Sequence, residues 1–231
     1  MSGRLSPADL LAAWDAGAPR APLDRALVLL WAAGAPSEGL AAMALEERDR
    51  RLLALRAATF GDILPCRTAC PTCGEAVELD LSAATLAAAL PDPAAEVLAV
   101  GGLELVLRSP DSRDLAAAAA CGDAAAAEAV LFERLVGSDL APDERAAVAG
   151  RIEARAEAAE IVLALDCPGC GHGWAEVLDV ARFVWAEVEA AALRLMGEVA
   201  EIARVFHWSE AAILAMSPPR RRAYLTLARG S

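Results

Sequence analysis

The 231-residue chain has 33 acidic and 21 basic side chains, a formal net charge of −12, and 57% hydrophobic residues. This charge disfavours long-range attraction to nucleic acid or anionic lipid. Every basic residue is arginine, which excludes a Walker A, Schiff-base or kinase-type lysine within the sequence. Alanine and leucine dominate and aromatics make up only 4%, so a mainly helical chain with a sizeable core is expected.

Three helices are predicted at the N-terminus. Ser6 caps the first, Pro7 occupies its first turn, and Asp9 returns the capping bond. The second is expected over residues 23–33 and the third over residues 45–59, each ended by a glycine.

After the third helix the hydrophobic pattern changes from the helical period to the alternation typical of strands. Alternating apolar and acidic residues predict a strand over residues 75–81, and two apolar runs around Gly101-Gly102 predict a hairpin of residues 96–100 and 103–107. Alanine-rich helices are expected from about residue 111 to residue 158. Further short strands are predicted at residues 161–165 and 174–178.

A long amphipathic helix is predicted from Val180 onward. Ser209 then caps a short helix, and a last helix begins at Ser217-Pro218. The apolar stripe of the long helix advances by three or four residues through Val184, Val188, Ala191, Leu195, Val199, Ile202 and Phe206.

Two copies of one short cysteine motif are the candidate metal ligands of the sequence. Each has two cysteines separated by two residues, with proline after the first cysteine and glycine after the second. This spacing places both sulfurs on one side of a tight turn, and two such turns supply the four ligands of a tetrahedral zinc ion. The predicted ligands of one structural zinc ion are Cys70, Cys73, Cys167 and Cys170.

The fold class predicted is therefore mainly α with a small β zinc ribbon, an α+β chain in which a long insertion splits the ribbon. The expected units are an N-terminal helical unit (1–62), the split ribbon (63–180) with an inserted hairpin and helices (about 86–158), and C-terminal helices (181–231).

The other thiols and the histidines are weaker candidates. The two Cys-x-x-Cys turns, Cys70–Cys73 and Cys167–Cys170, are called the first and second knuckle. Cys66 and His172 lie near these knuckles and are alternative ligands, but four cysteines already fill a tetrahedral zinc site. Cys121 is interpreted as a small residue in an alanine-rich helix, and His207 as packing or capping a helix end.

The sequence contains no recognisable catalytic set. It has two histidines and one tyrosine, and four thiolates leave zinc no open position for water. Glu187, Glu189 and Glu198 are interpreted as charge on the exposed face of the long helix. A non-enzymatic protein is expected.

No charge-free apolar run approaches about 18 residues, and residues 1–9 lack a secretory apolar segment, so no membrane span and a cytoplasmic location are expected. In that reducing compartment six cysteines favour metal ligation over disulfides.

The order of several motifs resembles the T-even-type phage baseplate family, whose similar members occur in gene clusters for contractile phage-tail-like injection systems. The motifs are Leu-Asp-Arg-Ala-Leu at 23–27, Glu-Arg-Asp-Arg-Arg-Leu-Leu at 47–53, Thr-Phe-Gly at 59–61, the two knuckles, His-Trp-Ser-Glu at 207–210 and Ser-Pro-Pro-Arg-Arg-Arg-Ala-Tyr-Leu at 217–225.

This resemblance implies a baseplate component or a baseplate-hub assembly chaperone, with baseplate or hub proteins as partners and possible incorporation into a phage-tail-like particle. Aromatic and guanidinium groups near the C-terminus are candidate partner contacts: Trp208, Arg220, Arg221, Arg222 and Tyr224. Two other classes remain open, a zinc-ribbon adaptor for transcription or nucleic acid, and a Cys-x-x-Cys redox protein.

Overall fold

Three α-helices begin the chain in the computed structural model, which describes residues 3–137 and 140–230. They are α1 (Pro7–Gly17), α2 (Pro22–Ala32) and α3 (Leu45–Phe60). The predicted start of α1 is confirmed. The Ser6 hydroxyl accepts a hydrogen bond from the Asp9 N–H, and the Asp9 carboxylate accepts one from the Ser6 N–H, so the cap pairs N–H groups that the helix itself leaves free.

Two antiparallel hairpins carry the cysteine pairs at their turns. β1 (Ile63–Ala69) pairs with β2 (Ala76–Ser82), and β5 (Val162–Asp166) pairs with β6 (Gly173–Val177). The positions of β2, β5 and β6 agree with the predicted strands to within one residue. The sequence pattern does not predict β1. The exposed positions at the start of this strand are occupied by Ile63 and Pro65 rather than by polar residues, so apolar and polar residues do not alternate there.

A short helix outside the prediction, α4 (Ala83–Ala89), follows β2 and packs against α3. The Ser82 hydroxyl caps it by accepting a hydrogen bond from the Thr85 N–H. Leu86 and Leu90 are buried in the same core as the N-terminal helices. We therefore propose that the insertion begins after Leu90, rather than at about residue 86.

The inserted segment starts with the predicted hairpin, which is confirmed residue for residue as β3 (Glu96–Val100) and β4 (Leu103–Leu107). Gly101 and Gly102 both have positive φ, 59° and 83°, as a primed two-residue turn requires. The predicted helical stretch resolves into α5 (Ser112–Ala119), α6 (Ala124–Val136) and α7 (Pro142–Ala159). Leu105, Phe132 and Val148 form a separate hydrophobic cluster beneath the hairpin.

The C-terminal helices are α8 (Val180–Phe206), α9 (Glu210–Leu214) and α10 (Pro218–Arg229). The predicted stripe of α8 is buried at Val184, Val188, Leu195, Val199 and Ile202. Ala192 takes the core position expected for Ala191, which is only half-buried. His207 ends the helix in the left-handed region, at φ 56°, where its N–H donates to the Ala203 carbonyl.

The main core joins residues that are distant in sequence, among them Leu29, Leu64, Ile161 and Val184. It thus draws on each of the three predicted units, and the unit boundaries at residues 62 and 180 remain a prediction. The predicted fold class, helices with small antiparallel hairpins, is confirmed. Within residues 3–137 and 140–230, no helix is long and apolar enough to cross a membrane.

Candidate metal centre

The first knuckle is the turn between β1 and β2. The Cys70 N–H donates to the Glu75 carbonyl at 2.8 Å, and the Gly74 N–H donates to the Cys70 carbonyl at 2.9 Å. Gly74 adopts φ 75°, a conformation that costs a residue with a Cβ about 1–2 kcal/mol. These bonds hold the chain in a tight loop with Cys70 and Cys73 on the same side.

The second knuckle repeats this hydrogen bonding between β5 and β6. The Cys167 N–H donates to the His172 carbonyl at 2.9 Å, and the Gly171 N–H donates to the Cys167 carbonyl at 2.9 Å. Gly171 has φ 71°. The two turns therefore share their backbone geometry as well as their sequence.

All four cysteine sulfurs lie within 4.8 Å of one another. The Sγ atoms of Cys70 and Cys170 are 3.7 Å apart, and those of Cys73 and Cys167 are 3.5 Å apart. A tetrahedron with metal–sulfur bonds of about 2.3 Å has sulfurs about 3.8 Å apart. Each close pair joins one knuckle to the other, so the arrangement fits one metal ion shared between the two hairpins.

The knuckle backbone also favours a thiolate. Burial raises the pKa of Cys70, but hydrogen bonds from the N–H groups of Cys73 and Thr72 outweigh it and lower that pKa to about 6. The Glu75 N–H lowers the pKa of Cys73, while the sulfurs of Cys167 and Cys170 raise it to about 12. Four thiols this close cannot all ionise unless a cation lies among them, and a bound metal ion supplies that charge.

The alternative ligands lie outside this cluster. The Cys66 thiol is 3.6 Å from the Leu64 carbonyl, and burial raises its pKa. His172 is exposed, with its ring parallel to that of Trp174 at 6.3 Å. Cys121 follows the end of α5 rather than lying within a helix, and it is half-buried.

A polar contact that the sequence analysis does not identify joins the two hairpins. The Thr68 hydroxyl on β1 and the Trp174 indole N–H on β6 donate to the same Glu176 carboxylate oxygen, at 2.5 and 3.1 Å. These bonds lower the pKa of Glu176. The alternation of β6 places Trp174 and Glu176 on one face, but only the fold reveals that β1 faces them.

The interpretation of Glu187 as an exposed charge is wrong. Its carboxylate receives two hydrogen bonds, at 2.7 and 2.8 Å, from Arg56, whose side chain is 2% exposed. Arg56 also donates to the Gly61 carbonyl at 2.5 Å. Glu198 likewise pairs inside the chain, with Arg221 at 2.6 Å. Two carboxylates of the predicted solvated face therefore fix α8 against other helices.

The C-terminal candidates divide into two groups. Trp208 and Tyr224 form an aromatic cluster with Phe206, with ring centroids 4.8–5.5 Å apart, and the Arg220 guanidinium lies 5.7 Å from the Tyr224 ring centroid. Arg220 and Arg222 are exposed.

Arg221, by contrast, is only 7% exposed because its guanidinium binds the Glu198 carboxylate. The ion pair with Glu198 leaves the Arg221 guanidinium little free surface for a partner. All five residues of that set stay a prediction.

A family model described as T4 bacteriophage base plate protein matches residues 25–138, about half of the chain. The match runs from α2 to the end of α6 and includes the first knuckle, whereas the second knuckle and the C-terminal helices lie beyond it. No curated protein and no solved structure matches the chain.

Proposed function

Because the chain belongs, through residues 25–138, to the T4-type phage baseplate protein family, we propose that it is a non-enzymatic structural or assembly protein of a contractile phage-tail-like injection system. It acts as a baseplate component or as an assembly chaperone of the baseplate hub. The family match is the observation that carries this proposal. Its partners are other baseplate or hub proteins.

We propose that the four clustered cysteines hold one zinc ion with a structural role. The close sulfur pairs, at 3.5 and 3.7 Å, suit tetrahedral thiolate ligation. Zinc bound there supplies positive charge that stabilises four thiolates, and it links two hairpins that are separate in sequence. Four protein ligands leave no position for a substrate or an activated water, which supports a role without catalysis.

Two alternative functions make different predictions. A nucleic-acid adaptor needs a basic surface, yet the first hairpin exposes Glu75, Glu78 and Asp80 around the single cation Arg67, in a chain of net charge −12. A redox protein needs a reactive thiolate, which the lowered pKa of Cys70 would provide in metal-free protein. Binding of DNA or RNA that weakens with salt, or reversible disulfide formation in the zinc-loaded protein, would favour one of these alternatives.

We place the partner contact on the C-terminal helices, at Trp208, Arg220, Arg222 and Tyr224. Trp208 and Tyr224 belong to an aromatic cluster, and Arg220 and Arg222 are exposed. Large aromatic and guanidinium groups of this kind are enriched among interface hot spots.

Reconstitution of the whole gene cluster tests the proposed function. Deletion of this gene should abolish complete particles, and normal contractile particles without the protein would refute a role in assembly. An Arg220→Ala/Arg222→Ala variant should behave like the deletion while keeping its zinc. Arg204→Ala, an exposed arginine on α8, is the matched control. If the double variant assembles normally, the contact lies on another surface.

A further inference from the structure

An open groove of about 300 Å³ lies beside α9 and the start of α10. It is lined by four apolar side chains and one cation: Trp208, Ala212, Ala215, Met216 and Arg220. Its volume is at the lower end of the range of about 300–1,000 Å³ that is typical of small-molecule sites. The groove therefore suits one large side chain of a partner protein better than a cofactor.

Aromatic packing fixes the wall that Trp208 forms. The Trp208 ring stacks on Phe206 at a centroid distance of 4.9 Å and packs perpendicular to Tyr224 at 4.8 Å. His207 ends α8 directly before this residue, in the left-handed region at φ 56°. The wall is thus formed before a partner arrives, which lowers the entropy that binding costs.

The groove lies in a basic part of an acidic chain. Residues 211–231 contain four arginines and no acidic residue, although the whole chain has a net charge of −12. Two of these arginines are neutralised by α8. Arg221 pairs with Glu198 at 2.6 Å, and Arg229 pairs with its own glutamate at 2.9 Å. Among the described residues that line the groove, none is acidic, so its charge has one sign.

Arg220, the cation of the groove, has no ion-pair or hydrogen-bond partner for its guanidinium within residues 3–137 and 140–230. The guanidinium lies 5.7 Å from the Tyr224 ring centroid, a cation–π distance that leaves its five N–H donors free. Arg220 lies in the first turn of α10, which contains no acidic residue. Because the helix dipole favours acids there and disfavours cations, helix stability does not explain this arginine.

We propose that this groove binds an acidic, apolar segment of a baseplate or hub partner. One large apolar side chain of that segment packs against Trp208 and Met216, and a neighbouring carboxylate accepts two parallel hydrogen bonds from Arg220. Nucleic acid also supplies anions, but the net charge of −12 repels a polyphosphate more strongly than a segment with a few carboxylates. The inference rests on the proposed function, because it names the chemistry of the partner at the C-terminal helices.

A titration of the full-length zinc-loaded protein with three short peptides tests the proposal. The peptides, acetylated and amidated at their ends, are Glu-Glu-Leu-Leu-Glu-Glu, its counterpart Gln-Gln-Leu-Leu-Gln-Gln and its counterpart Glu-Glu-Ala-Ala-Glu-Glu. The readout is the indole N–H NMR signal of Trp208. The leucine–glutamate peptide should shift this signal saturably, with an affinity about tenfold higher than that of either counterpart. Absence of a saturable shift, or equal affinity for all the peptides, overturns the proposal.

Two substitutions of arginine by glutamine separate the groove from the general charge of the chain. Arg220→Gln should erase the preference for the leucine–glutamate peptide over its glutamine counterpart, because the guanidinium is lost. Arg194→Gln, which changes an exposed arginine on α8, should keep that preference. An unchanged preference in Arg220→Gln, or its loss in Arg194→Gln, contradicts the assignment.

Two other occupants of the groove have their own signatures. A single-stranded oligothymidine that shifts the Trp208 signal with at least the affinity of the leucine–glutamate peptide would identify a nucleic-acid contact. A dimer in sedimentation analysis that Arg220→Gln dissociates would identify a second copy of this chain. Either result overturns the proposal.

Particle assembly in the reconstituted gene cluster distinguishes this inference from the proposed function. Arg220→Glu, which repels an acidic partner, should abolish complete particles, as deletion of the gene does. If Arg220→Glu gives normal particles while the deletion does not, the groove assignment is lost and the baseplate role stands. If particles assemble without the protein, the baseplate role is lost, whatever the peptides bind.

Discussion

The chain contains two kinds of two-stranded hairpin within the residues described. The ribbon hairpins, β1–β2 and β5–β6, turn through cysteine knuckles, whereas the inserted hairpin β3–β4 turns through Gly101 and Gly102. An isolated two-stranded hairpin is marginally stable in water. Each kind therefore needs support from elsewhere, and the source of that support differs.

The inserted hairpin is supported by apolar packing. Leu105 on β4 is buried with Phe132 of α6 and Val148 of α7. The knuckle ends of the ribbon hairpins have little such cover, since Cys73, Cys170 and the turn residues around them are exposed. If the proposed zinc ion is bound, one kind of hairpin depends on a metal ion at its turn and the other on a small apolar core.

Removal of a buried metal ligand should have the largest effect. Cys70→Ser or Cys167→Ser should lose the metal and unfold both knuckles, because metal binding is part of the folding free energy of such a site. Metal analysis and amide hydrogen exchange of β1, β2, β5 and β6 measure the two effects. Cys66→Ser and Cys121→Ser are the controls and should retain one metal ion per chain. Full metal content in Cys70→Ser would contradict the proposed ligand set.

Truncation of a core side chain beneath the inserted hairpin should lower the stability of the protein without any loss of metal. Phe132→Ala should lower the free energy of unfolding by about 3–5 kcal/mol and leave the metal content unchanged. Chemical denaturation and metal analysis of the same sample provide the test. Val106→Ala, at a side chain that is 61% exposed on the same hairpin, should change stability by less than about 0.5 kcal/mol. Loss of metal in Phe132→Ala would show that metal binding at the knuckles depends on the apolar cluster beneath the inserted hairpin.

The knuckle glycines should have an intermediate effect. Gly74→Ala should cost about 1–2 kcal/mol, because Gly74 adopts φ 75° although its surroundings leave room for a methyl group. Gly197→Ala is the matched control, since Gly197 lies within α8 with equal room and no positive φ. It should stabilise the protein by about 0.5–1 kcal/mol. Equal effects at the two positions would show that the turn geometry is not the cause.

The smallest predicted effect concerns the contact between β1 and β6. The hydrogen bonds from Thr68 and Trp174 lower the pKa of Glu176, so their contribution to stability is present above the unfolded-state pKa and is lost as pH falls through the folded-state pKa. Thr68→Val should raise the pKa of Glu176 toward its ordinary value. A carboxyl ¹³C NMR titration measures it, and an unchanged pKa would mean that the contact is absent in solution.

Local sequence signals predict much of the fold and predict that the four cysteines lie together, as the structure has them. The capping box at Ser6, the Gly101-Gly102 turn and the paired knuckles are each encoded within a few residues, so the pattern alone predicts their geometry. The long helix α8 is predicted equally well because its apolar stripe repeats over many turns.

The features that escape prediction depend on contacts between distant segments. The sequence around Arg56 does not indicate that its side chain forms an ion pair with Glu187. Likewise, the sequence around Arg221 does not indicate its ion pair with Glu198. Glu46 occupies an ordinary position for an acid in the first turn of a helix, and only the packing of the inserted helices against α3 makes it part of a cavity.

We propose that one ion joins two knuckles that lie almost a hundred residues apart in the sequence. Native mass spectrometry of full-length protein purified without added metal, combined with elemental analysis, tests it most directly. We expect one zinc ion per chain, and we expect the thiols of all four proposed ligands to be protected from a thiol reagent until a chelator removes the metal. A metal content near zero, two ions per chain, or iron with visible colour would contradict it.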